Sequence, residues 1–63
     1  MKSTHELRVG MSVYWVKTWP AMFDGLAGHH WSGLGGRVGG WVAGPRTEAL
    51  KAAHVAYALE EAQ

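Results

Sequence analysis

From Met11 to Lys17 the chain alternates, with Met11, Val13 and Trp15 sharing one face and Ser12, Tyr14 and Val16 the other. The segment is rich in β-branched and aromatic side chains, which suit a pleated surface, so the period of two predicts a strand. A short extended piece over residues 6–9 leads into it through Gly10. Trp19-Pro20 is expected to interrupt the strand, because proline brings no amide proton to a ladder and restricts the residue before it. Asp24-Gly25 then offers a turn. Between residues 18 and 36 the apolar Trp19, Met22, Phe23, Leu26 and Trp31 are mixed with glycines at 25, 28, 33, 35 and 36. That mixture is too apolar for a solvated linker and too rich in glycine for a long helix. It predicts a short helical turn over residues 21–26 followed by a glycine-rich loop.

A second strand is expected over residues 37–43, with Val38, Gly40 and Val42 facing one way and Gly39, Trp41 and Ala43 the other. Paired glycines inside a strand signal the close approach of another backbone or ring. Trp15 or Tyr14 is the expected visitor. Gly44-Pro45 ends the strand, and Thr47 is the expected N-cap of a helix running to about residue 61. At helical spacing Ala49, Ala52, Ala53 and Ala56 form a floor, edged by Leu50 and Tyr57 on one side and Val55 and Leu59 on the other. The predicted architecture is α+β, one domain over residues 1–63: a small antiparallel sheet of two or three strands packed by one C-terminal helix, with a glycine-rich loop between the strands. Trp15, Trp41 and Tyr57 are expected to fill the layer between sheet and helix with Val13, Val38, Leu50 and Leu59.

Composition sharpens this picture at one point. Four tryptophans occur in 63 residues, with no cysteine. A chain of this length buries only about 60% of the surface its unfolded form exposes, and each indole brings roughly 150–250 Å². Some of the rings are therefore expected to face a partner. Disulfides are excluded, no apolar run reaches the ~20 residues of a membrane span, and residues 1–10 lack the apolar core of a leader. The chain is expected to be cytoplasmic and not to enter a membrane. Net charge is +1, divided between residues 1–46, with five bases against two acids, and residues 47–63, with one base against three acids. The bases are scattered singly, whereas duplex binding normally shows a basic stripe or patch.

No motif for a reaction stands out. The run from Gly33 to Gly40 misses a dinucleotide fingerprint, since the third glycine position holds Val38, and it lacks the Gly-Lys-Ser/Thr of a phosphate loop. His5, His29, His30 and His54 lack the paired spacing of a zinc site. Ser12, Thr18 and Ser32 sit in no recognisable nucleophile arrangement. No catalytic residue, metal or cofactor is expected.

The surplus of aromatic rings points instead to non-catalytic binding. Trp19, Phe23, Trp31 and Arg37 are the expected anchors, since tryptophan and arginine dominate interface hot spots; His29 and His30 form a polar rim, and Arg46 flanks the second strand. The segment GGWVAGPRTEALKAAHVAYALEE is similar in pattern to small hairpin-plus-helix proteins of phage and prophage genomes, over roughly residues 36–61. Short cysteine-free chains of that type include inhibitors of host defence, anti-CRISPR proteins among them. The resemblance implies a stoichiometric plug on a host protein complex and carries over no residue. Two alternatives stand beside it. One is a nucleic-acid binder using a basic and aromatic sheet face with Arg37, Lys17, Trp41 and Tyr14; the other is a homo-oligomer paired through the open sheet face or the loop aromatics.

Overall fold

A computed structural model describes all 63 residues. Four strands, β1 (Ser3–Val9), β2 (Ser12–Phe23), β3 (Leu26–Gly33) and β4 (Val38–Ala43), are followed by one helix, α1 (Arg46–Glu61). The sheet is an antiparallel meander in chain order, and α1 lies across one face in contact with every strand. The α+β class and the C-terminal helix are as expected; the sheet is larger than two or three strands.

The difference lies in residues 18–36. No helical turn forms at 21–26. β2 runs straight through Pro20, which pairs with His29, and continues to Phe23 before Asp24 and Gly25 turn the chain. The physical reason is the length of β1, whose pairing with β2 ends at Ser3 opposite Thr18. Pro20 therefore stands where β2 has an open edge, and a missing amide costs no ladder bond there. Both turn residues have positive φ, 52° at Asp24 and 76° at Gly25, the geometry of a two-residue hairpin turn matched to strand twist. Of the expected glycine-rich loop only a single 3-10 turn remains, Leu34–Gly36.

Strand parity then decides what is buried. On β2 the even positions Tyr14, Val16 and Thr18 face the helix; on β3 the register places Trp31 and Gly33 beside them. The core joins Val9, Val16 and Trp31 from the sheet to Ala49, Ala53 and Tyr57 from the helix. Alanines at the contact let α1 come close to the sheet, and the rings fill the space on either side. Tyr57 stacks on Tyr14 with centroids 4.4 Å apart, and its hydroxyl donates to the Trp15 carbonyl oxygen at 3.1 Å. Gly33 makes that reach possible, because a Cβ there would overlap the Tyr57 hydroxyl.

Several expected core residues are not in the core. Trp15, Trp41 and Val13 have the opposite parity and lie on the face away from the helix, while Leu59 is exposed on α1. Of the two β4 glycines only Gly40 lies under a ring, that of Trp31, with its Nε1 3.3 Å from where a Gly40 Cβ would stand; a Cβ on Gly39 would meet the Trp31 carbonyl. Thr47 does not cap α1; Pro45 occupies the N-cap position, and its carbonyl accepts from the Glu48 amide at 2.9 Å.

Candidate functional site

The second face of the sheet has no layer over it. From β2 it receives Val13, Trp15, Lys17, Trp19, Ala21 and Phe23, the odd positions of a 12-residue strand. The register aligns these with neighbours in rows across the strands. One row is Thr4, Lys17, Ser32 and Gly39; another is Trp19, His30 and Trp41; at the hairpin end Phe23 faces Leu26. Strand geometry puts Trp15 and Trp19 about 13 Å apart along β2, and Trp19 and Trp41 about 10 Å apart across the sheet.

The rings in this face are ordered by specific contacts. Trp19 stacks on His30 with centroids 5.4 Å apart and planes 25° from parallel. Trp41 lies across the backbone at Gly28, where a Cβ would strike its six-membered ring, and its Nε1 donates to the Ala21 carbonyl oxygen at 3.0 Å. Phe23 packs against Trp41 at 5.5 Å. Trp15 and Phe23 remain 61% and 63% exposed, large values for side chains of that size.

Cations share the face. The Lys2 ammonium stands 4.6 Å from the Trp19 ring centroid, a cation–π contact. Lys17 lies between Trp15 and Trp19 in the strand. Neither lysine has an ion-pair partner, whereas Arg8 is paired with Glu6 at 3.0 Å, the single acid of β1. On the helix side the other ion pairs are Arg37 with Glu60 and Lys51 with Glu48. The open face thus carries an excess of bases, whereas on the helix side Arg37, Arg46 and Lys51 balance Glu48, Glu60 and Glu61.

A pocket of about 360 Å³ opens at the end of this face nearest the 3-10 turn. Trp15, Trp19, Lys2 and Lys17 line it, with Thr4, Ser32 and residues 33–36.

The residues expected at a partner surface are divided by this geometry. Trp19, Phe23 and His30 lie together on the open face. Trp31 is turned under α1 and only 7% exposed, and His29, also on the helix side, is half-buried with Nδ1 3.0 Å from the Gly44 carbonyl oxygen. Arg37 pairs with Glu60 near the end of α1, and Arg46 is the first residue of that helix, so the two arginines sit at opposite ends of it. The structure adds Trp15, Lys2 and Ser32, and it places Lys17 and Trp41 beside Trp19. Their signal was the shared odd parity of Trp15, Lys17, Trp19 and Phe23, which carries through Pro20 once β2 is unbroken. Of the nucleic-acid set, Tyr14 is absent from the open face; its hydroxyl donates to Glu61 at 2.7 Å on the helix side.

One imidazole–hydroxyl pair resembles catalytic machinery, His5 Nε2 and Thr18 Oγ1 at 3.0 Å. Thr18 is 1% exposed and covered by the helix layer, so no substrate reaches it. Burial, and secondarily Arg46, holds His5 below its ordinary value of 6.5. No group of three histidine and carboxylate side chains converges as a metal site would require, and no helix is long and apolar enough to cross a membrane. No protein-family model matches this chain, and no curated protein or solved structure matches it.

Proposed function

We propose that this protein is a non-catalytic binding module whose working surface is the open face of the sheet and whose partner is a single-stranded nucleic acid. One observation carries the reading: Trp15, Trp19, His30, Trp41 and Phe23 share a face with two lysines that have no ion-pair partner. Aromatic platforms stack bases of any sequence, and cations beside them follow the phosphates. An open four-stranded sheet backed by helix is a setting in which RNA-binding domains use aromatic rings for two or three bases. Duplex binding is less well served, because the face carries only three basic side chains, one of them paired, and no basic stripe.

Fluorescence anisotropy with labelled DNA and RNA oligonucleotides at low salt tests this. Stacking contributes about 1–3 kcal/mol per base, so Trp19→Ala and Trp41→Ala are each expected to weaken binding by roughly five- to a hundredfold. Absence of binding by the wild-type protein at tens of micromolar, for both DNA and RNA, would overturn the reading.

A second reading, a phage-type inhibitor docked stoichiometrically on a host protein complex, is favoured by the hairpin tip. Met22, Phe23 and Leu26 are 73%, 63% and 58% exposed at the end of an arm that only β4 supports from the side. Inhibition of such a complex that survives Lys17→Gln but disappears in Met22→Ser would identify it.

A further inference from the structure

We propose that the pocket at the turn end of the open face is a nucleotide subsite, seating one nucleoside monophosphate unit with its phosphate on Lys2 and Lys17 and its base on an indole of Trp15 or Trp19. The inference rests on the single-strand reading and adds a fixed place for one unit of the strand. At about 360 Å³ the pocket is near the small end of ligand sites, which run from roughly 300 to 1,000 Å³. It suits one nucleotide and not a longer segment.

Its lining argues for an anion joined to a flat ring. Two lysines line it, no acidic residue does, and neither lysine is engaged in an ion pair. Two indoles from the same strand stand on either side of Lys17. Thr4 and Ser32 occupy the row of Lys17 on the neighbouring strands and offer hydroxyl donors and acceptors to a phosphate or a sugar. The rim is built for access. Leu34 takes φ 52° and is followed by Gly35 at 65° and Gly36 at 93°, and a bulky residue in that region is strained. No atom lies within 4 Å of where a Cβ would stand on Gly35 or Gly36. A ligand can therefore approach the turn backbone directly.

The test uses the full chain labelled with nitrogen-15 and titrated with adenosine and uridine monophosphates, the matching nucleosides, inorganic phosphate, and a short oligonucleotide. Monophosphates are expected to shift the amide signals of Lys17, Ser32 and residues 33–36. Nucleosides should shift them far less. Lys17→Gln should weaken monophosphate binding about tenfold or more, as loss of a charged hydrogen bond does, and Trp15→Ala should weaken it while the remote amides stay in place. If inorganic phosphate binds as tightly as the monophosphates, the indoles contribute nothing and the inference is overturned. Oligonucleotide binding that leaves the pocket signals unmoved overturns the subsite alone and leaves the single-strand reading standing. Monophosphate binding without any oligonucleotide binding does the reverse, retaining the pocket as a site for free nucleotides.

Discussion

A methyl group added at position 33 would meet the Tyr57 hydroxyl, the one side chain that ties the helix to the β2 backbone. Tyr57 is fully buried and stacked on Tyr14, so it has nowhere to retreat. Gly33→Ala is expected to cost about 2–3 kcal/mol, from overpacking and the strained or lost bond to Trp15. In a domain this small that is a fall of roughly 10–20 °C in Tm, measurable by circular dichroism. Gly28→Ala should behave differently, since the first ring it displaces is Trp41 on the open face as well as crowding the Val42 carbonyl. The bond from Trp41 to Ala21 should weaken and its fluorescence should shift toward that of a solvated indole. Paired glycines announced a close ring in the sequence. Which ring could not be known, because the contact joins residues brought together only by the register of β3 with β4.

At the scale of elements, the helix and the outer parts of the strands were legible from periodicity, while the hairpin was not. Proline and five glycines obscured an alternation that Trp15, Trp19 and Phe23 maintain from one side of Pro20 to the other. The end of β1 removes the local objection to proline, and that is a fact about a neighbouring strand. The same geometry joins β1, β2 and α1 at His5. Its ring is hydrogen-bonded to Thr18 and is held below 6.5 chiefly by burial, with Arg46 adding to it. Because the unfolded chain takes up this proton at higher pH than the folded one, the stabilisation is complete above about pH 6.5 and is lost as pH falls through the folded value. Thermal midpoints should therefore drop as pH falls below about 6.5, and His5→Gln should flatten that drop while still reaching Thr18. Glu61, held below its ordinary 4.5 by the Tyr14 hydroxyl, loses its contribution only at lower pH, so the two effects separate. An unchanged slope in His5→Gln would remove His5 as its source.

Across the whole molecule, net charge of +1 conceals a division that becomes visible only when the chain is folded. Lys2, Arg8 and Lys17 stand over the open face with Glu6 alone, while Glu48, Glu60 and Glu61 of α1 are balanced by Arg46, Lys51 and the Arg37 that pairs with Glu60. This division limits how a single strand is held. Each phosphate neutralised by a lysine or arginine contributes about −0.7 to the slope of log K against log salt. Three bases, one already paired with Glu6 at 3.0 Å, therefore predict a slope between about −1.4 and −2, shallow for a nucleic-acid binder. Most of the affinity must then come from stacking and should persist at high salt. Lys17→Gln should make the slope shallower by about 0.7, whereas Lys51→Gln, on the helix side and paired with Glu48, should leave it unchanged. Trp41→Ala should lower affinity by a similar factor at every salt concentration, because a stacked base releases no counterions. A slope far steeper than −2 would place the strand on bases outside this face, with Arg37 and Arg46 at the ends of α1 the first to examine.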